Sequence, residues 1–183
     1  IQSGEYDTKS YQIIYTNGDV TINDGVFTES NDDTKIYDSY AMFVVEGSSA
    51  HLTMKAGSIT TGKTSDQSCG LYGIYSMAGG SITAGKQDGT GPTITSQFAT
   101  LGQNNTTSPS TVTVYGGTYT TLYNPMENGT LSKWHKFASA IYDSGDSNIT
   151  ISGGTFKGYY AISIPYYNTA SNISISNGAL TST

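Results

Sequence analysis

The stretch SNITISGGTF, residues 147–156, alternates apolar and polar side chains and then sets two glycines before a hydroxyl and an aromatic. Alternation with period two puts Ile149 and Ile151 on one face of an extended strand and Thr150 on the other. A glycine directly after such a strand marks a bend, because glycine enters φ > 0 without a Cβ clash and leaves room for a neighbouring backbone. The stretch therefore reads as strand, corner, strand.

The pattern recurs. Aligned on the second glycine, the chain contains VTINDGVFT (20–28), LTMKAGSIT (52–60), YSMAGGSIT (75–83), VTVYGGTYT (112–120), ITISGGTFK (149–157) and ISISNGALT (173–181). The anchoring corner glycines are Gly25, Gly57, Gly80, Gly117, Gly154 and Gly178, spaced by 32, 23, 37, 37 and 24 residues. A constant unit with variable insertions is the mark of a coil that repeats and sends loops outward.

Three apolar columns follow from the alignment. The first is Val20, Leu52, Tyr75, Val112, Ile149 and Ile173; the second is Ile22, Met54, Met77, Val114, Ile151 and Ile175. The third, two residues after the glycine, is Phe27, Ile59, Ile82, Tyr119, Phe156 and Leu180. Between the first two lies an outward row of hydroxyls, Thr21, Thr53, Ser76, Thr113, Thr150 and Ser174. A further signal precedes every copy but the first: YAMFVV (40–45), CGLYGIY (69–75), FATLG (98–102), SAIYD (139–143) and YYAISI (159–164). These predict another sheet of the same coil.

Stretches such as ITISGGTF, joined to AIYDSGDSN, resemble the right-handed parallel β-helix repeats of bacterial and archaeal secreted and cell-surface proteins, adhesin-like and polysaccharide-binding or polysaccharide-cleaving ones among them. The resemblance covers residues 12–183 and implies an all-β, single-stranded β-helix (solenoid) of about six coils. Its matched residues are core and corner positions, which specify a scaffold rather than a site. An antiparallel sandwich has a similar composition but no reason to repeat one glycine corner six times. One domain spanning 1–183 is expected, with loop insertions at about 29–39, 85–97 and 121–139.

Composition narrows the partners. Charged residues make up 12% of the chain, arginine is absent and the net charge is -6. That argues against nucleic acid or an anionic membrane, which need clustered cations. No apolar run is long enough for a transmembrane helix, and the first residues do not read as a signal peptide. A chain starting at Ile1 reads as a processed product or an excerpt, and its one cysteine, Cys69, as a small packed residue rather than a disulfide or metal ligand.

The chemistry of enzymes on such scaffolds is poorly represented. Lyase-like sites on this fold use arginine or lysine beside acid-bound calcium, and this chain has no arginine. Polygalacturonase-like sites pair aspartates with a Gly-His-Gly turn; NDD (31–33) offers the aspartates, but His51 and His135 have no glycine neighbours. Asp143 and Asp146, in DSGDSN, could hold Ca²⁺ in a turn, and otherwise read as turn carboxylates in solvent. No other cofactor is expected, and no catalytic residue.

Aromatics carry the binding expectation. The insertion TLYNPMENGTLSKWHKFAS (121–139) holds the only tryptophan, Trp134, between Lys133 and His135, with Lys136 next. Trp134, His135 and Tyr123 form either a platform for sugar rings or a protein, or a cover folded against the coil. Tyr159, Tyr160, Tyr166 and Tyr167 are adjacent pairs, each placing one ring outward. Ser58/Thr60, Ser81/Thr83 and Thr118/Thr120 make a hydroxyl ladder similar to that of ice-binding solenoids, interrupted at Val26 and Lys157.

The last copy is followed only by Ser182 and Thr183, which leaves a coil without a cap. Such a coil belongs to a longer surface protein or pairs with a neighbour. The expected function is accordingly a non-catalytic extracellular structural or adhesive module at a cell surface or secreted, self-associating end to end into a filament or sheath or contacting other surface proteins. A polysaccharide-binding module is the alternative, and a polysaccharide lyase or hydrolase comes third.

Overall fold

The computed structural model describes residues 1–8, 12–29, 41–61, 72–104, 108–127, 129–133, 135–165 and 171–183. Among these residues there is no α-helix. Apart from one short hairpin and a single 3-10 turn, the regular structure is three parallel sheets.

The first sheet, here the tyrosine sheet, contains Ile14–Thr16, Ala41–Glu46, Tyr72–Met77, Leu101–Asn104, Ser139–Asp143 and Tyr160–Ser163. The second, the threonine sheet, contains Asp19–Ile22, His51–Met54, Ser81–Ala84, Ser110–Val114, Ser147–Ile151 and Asn172–Ile175. The third has seven strands: Glu5–Thr8, Val26–Glu29, Ser58–Thr60, Thr93–Ser96, Thr118–Thr121, Thr155–Gly158 and Ala179–Ser182. In every sheet spatial order equals chain order. The chain visits the tyrosine, threonine and seven-stranded sheets in turn and starts again one strand further along, a course consistent with a parallel β-helix-like fold.

Side chains from all three sheets meet in one core, with Phe43, Ile74, Leu101 and Ile141 from the first, Leu52, Met54, Val112 and Ile149 from the second, and Phe27, Ile59, Tyr119 and Phe156 from the third. Like residues stack because the parallel register carries each column from strand to strand. Tyr6 stacks on Phe27 and Tyr119 on Phe156, each pair with centroids 4.9 Å apart and planes 8° from parallel, while Phe43 meets Phe27 edge-on. Offset aromatic stacks add about 0.5–1.5 kcal/mol beyond area burial.

The sheet expected from YAMFVV, CGLYGIY, FATLG, SAIYD and YYAISI is the tyrosine sheet, and Ile14–Thr16 supplies the missing first member. The third repeat copy is misplaced. Tyr75, Ser76 and Met77 lie in the tyrosine sheet, and Ile82 pairs with Leu52 and Val112, which makes it a first-column residue. The residue standing between Ile59 and Tyr119 is Ile94. Thr83 likewise replaces Ser76 in the outward hydroxyl row, and Thr93/Thr95 replaces Ser81/Thr83 in the ladder of the seven-stranded sheet.

The corner shows why. Ser58 N donates to Gly25 O at 2.8 Å, Thr93 N to Gly57 O at 2.9 Å, Thr118 N to Pro92 O at 2.9 Å and Thr155 N to Gly117 O at 2.9 Å. Pro92 therefore occupies the third corner, where Gly80 was expected. Gly25, Gly57, Gly117, Gly154 and Gly178 have positive φ, which proline cannot adopt. The inserted 85–91 brings the chain into Pro92 by another route. Gly80 instead ends the turn between the tyrosine and threonine sheets, where a Cβ would lie 2.5 Å from Val45 O.

Two of the expected insertions include strand residues. Residues 93–96 of the expected 85–97 loop are a regular strand, and Thr121 and Ser139 belong to strands at the two limits of 121–139. Inside that segment Met126–Glu127 and Thr130–Leu131 form the antiparallel hairpin, and His135–Phe137 a 3-10 turn. The insertion at 29–39 lies outside the described residues beyond Glu29, as do Asp32, Asp33 and Cys69.

Tyr119 gives the core a pH signature. Burial pushes its phenol well above the usual tyrosine range, and its OH donates to Gly116 O at 2.8 Å. With a folded pKa above the unfolded value of about 10, its contribution to stability is whole below pH 10 and is lost as pH rises further, by about 1.4 kcal/mol per pH unit. In an alkaline titration followed at the tyrosinate absorbance, Tyr119 should ionise only with unfolding, and Tyr119→Phe should flatten this loss above pH 10. An identical alkaline slope in the variant would contradict the assignment.

Candidate functional site

Between Thr118–Thr121 of the seven-stranded sheet and Ser139–Asp143 of the tyrosine sheet, Tyr123 and Phe137 pack against side chains of the latter. They close a second hydrophobic cluster, separate from the core, of Val44, Tyr72, Tyr75, Phe98, Tyr123, Phe137 and Tyr142 among others. Phe98 stacks on Phe137 at 5.1 Å and meets Tyr123 edge-on at 5.3 Å. Gly102 makes this packing possible, because a Cβ there would stand 2.7 Å from the rings of both Tyr72 and Tyr75.

This arrangement decides between the two expectations for Tyr123. Only 3% of its surface is exposed, and its OH donates to Ser132 Oγ at 3.0 Å. Tyr123 is cover rather than platform: a half-apolar ring buried against other rings loses far less than one left in water.

His135, Tyr159 and Tyr160 come together next to it. His135 Nδ1 lies 3.2 Å from Tyr160 OH, the two rings meet edge-on at 5.9 Å, and Tyr159 packs edge-on against Tyr160 at 4.9 Å. Both tyrosines are half-buried. Desolvation, and then the neighbouring Tyr159, raise the Tyr160 phenol above the usual range. Lys136 holds its Nζ 5.0 Å from the centroid of Phe137 and 5.9 Å from that of Tyr142. Lys133, His135, Lys136, Tyr160, Ile162, Ser163, Ile164 and Pro165 line an open hollow of about 470 Å³. Trp134, Tyr166 and Tyr167 lie outside the described residues.

Comparison of the chain with protein-family models, with characterised proteins and with solved structures found no match.

The stretch DSGDSN behaves differently from a solvated turn. Asp143 is fully buried. Its Oδ1 accepts from Ser147 Oγ at 2.8 Å and Gly145 N at 3.2 Å, and its Oδ2 from Ser171 Oγ at 2.5 Å. It ends a row of inward residues in register on the tyrosine sheet, Val45, Ser76, Gln103 and Asp143. Facing serines on the threonine sheet serve this row: Ser110 Oγ lies 2.8 Å from Ser76 Oγ, and Ser147 Oγ 2.9 Å from Gln103 Oε1. Gln103 Nε2 is the buried side-chain donor left without a partner among the described residues. Turning that amide over would let it donate to Ser147 Oγ and free the serine proton for Asp143.

Periodicity alone misses this polar row, because it puts Ser76 on the outward face and leaves Asp143 in a solvated turn. Asp143→Ala removes the acceptor of two hydroxyls and one N–H. It should lower the unfolding free energy by about 2–3 kcal/mol, and Asp143→Asn by less. Asp146 is half-buried. Because the Asp143 oxygens already serve three donors, adding or chelating Ca²⁺ should leave the thermal midpoint unchanged. A midpoint that climbs with Ca²⁺ would return the stretch to the cation reading.

Proposed function

We propose that the chain is a right-handed single-stranded parallel β-helix, and that it works as a non-catalytic structural or adhesive module, secreted or at a cell surface, which extends by adding strands at its ends. The observation that carries this reading is the state of the last round. Ile151 and Phe156 are fully buried, yet their register partners Ile175 and Leu180 are 44% and 46% exposed. Tyr160–Ser163, Asn172–Ile175 and Ala179–Ser182 are each the last strand of their sheet, so three parallel edges end together. Right-handed crossovers are the rule for parallel strands in one sheet.

At the opposite end Glu5–Thr8 is also an edge strand, and its Tyr6 stands in the column that ends at Leu180. All these strands run in the same direction. A second copy can therefore lay Glu5–Thr8 beside Ala179–Ser182, with Tyr6 over Leu180, in the register used throughout. Such a head-to-tail contact does not close on itself and builds a filament. The same edge accepts a further round of the same chain. Covering each aliphatic side chain adds roughly 1.5–3 kcal/mol. The lack of arginine and of a Gly-His-Gly turn supports a role without catalysis.

Sizing across a concentration range, with negative-stain imaging, tests this. The expected result is a mass that grows with concentration and short strings in the images, both abolished by Leu180→Lys, an exposed position. Monomers persisting at high concentration would sink the assembly reading.

A further inference from the structure

The cavity at the start of the last round has a chemistry that end addition does not require. Lys133, His135 and Lys136 line it, and among the described residues no carboxylate does. They converge in a chain with only eight lysines and a net charge of -6. Scattered solubilising charge would not place three such groups around one hollow. The rest of the lining is mostly apolar and aromatic, with Tyr160, Ile162, Ile164 and Pro165 beside Ser163.

The cationic side is held in place. Lys136 rests over the Phe137 and Tyr142 rings, which restrains a side chain that otherwise keeps many rotamers. The His135 ring is fixed through Nδ1 to Tyr160 OH. Phe137, which anchors the turn carrying His135 and Lys136, is itself buried in the second hydrophobic cluster. A restrained cluster loses less freedom on binding than mobile surface lysines do. Lysine and histidine side chains together with apolar and aromatic ones, around one open hollow of about 470 Å³, match a small molecule that carries a charged oxygen group on a ring.

We infer that this cavity binds an oxyanion group, carboxylate or phosphate, borne on a sugar-sized ring. The anion lies among Lys133, His135 and Lys136, and the ring faces Tyr160 and Ile164. This site stands whether or not the chains add end to end.

Trp134, the only tryptophan, lies in sequence between Lys133 and His135, so its emission serves as the probe, with calorimetry as the second readout. Glucuronate and glucose 6-phosphate supply the two oxyanions, glucose the neutral ring and inorganic phosphate the bare anion. At least one anionic sugar should bind saturably and at least about 10-fold more tightly than glucose or inorganic phosphate, and more weakly as salt is raised. The tighter of the two identifies the group. Lys133→Gln with Lys136→Gln should weaken binding by about 10-fold or more, and Lys133→Gln alone, at an exposed position, by a smaller factor with an unchanged melting midpoint. The inference is overturned if neither anionic sugar binds, if glucose or inorganic phosphate binds as well, or if the lysine variants bind like the parent.

Discussion

Gly57→Ala is expected to lower the unfolding free energy by about 3 kcal/mol or more, and a chemical denaturation curve would show it as an earlier midpoint with an unchanged slope. Two effects combine at this corner. The backbone sits at φ +92, and an added Cβ would stand 2.3 Å from Gly25 O and 2.7 Å from Gly25 N. Left-handed backbone alone penalises a side chain by about 1–2 kcal/mol. The contact then forces two rounds apart where Ser58 N bonds to Gly25 O.

Two other glycines separate these effects. Gly47 has φ +102 with nothing within 4 Å of a Cβ, so Gly47→Ala should show only the backbone penalty. Gly18 has neither a positive φ nor a neighbour within 4 Å. Gly18→Ala should be neutral or raise stability by about 0.4–1 kcal/mol by restricting the unfolded chain. If the three variants proved alike, close approach at the corner would not be what selects glycine there.

Phe27→Ala should be as damaging, at about 3–5 kcal/mol. Phe27 is fully buried, stacked on Tyr6 and edge-on to Phe43. Its loss opens a cavity where two sheets meet, and the restraint of the hydrogen-bonded strands on either side limits collapse. Phe27→Leu keeps most of the volume and should lose about 1.5 kcal/mol or less. Equal losses for the two substitutions would show that the aromatic contacts, rather than the filled volume, dominate.

Much of the fold was readable because it is periodic. Ile149, Ile151 and Phe156 enter the core, Thr150 faces outward and Gly154 bends the chain at positive φ, as SNITISGGTF indicated. The reading failed where one copy departs from the unit. YSMAGGSIT mimics the repeat because a turn between two sheets also brings glycine after an alternating strand. The true third corner is Pro92, which no search for glycine can find. The alignment slid by one sheet, carrying Ser76, Met77 and Ile82 with it.

The candidate site was less readable. Tyr123 and Asp143 belong to residue types usually found at surfaces, and their burial depends on partners distant in sequence: Phe98 and Phe137 around one, Ser171 beside the other. The grouping of Lys133, His135 and Lys136 was visible in the sequence. The apolar residues that line the hollow with them were not, since Ile162 and Pro165 arrive on the following round.

In each of the three sheets, strands pair only with the preceding and following rounds. Outside the ring cluster that joins Tyr72 to Tyr142, tension applied at the two ends therefore meets only contacts between neighbouring rounds. It peels one round at a time, each yielding at a force set by its own core and corner. The molecule would lengthen in steps under load, with the buried Asp143 network and the ring cluster around Phe98 setting which step resists longest.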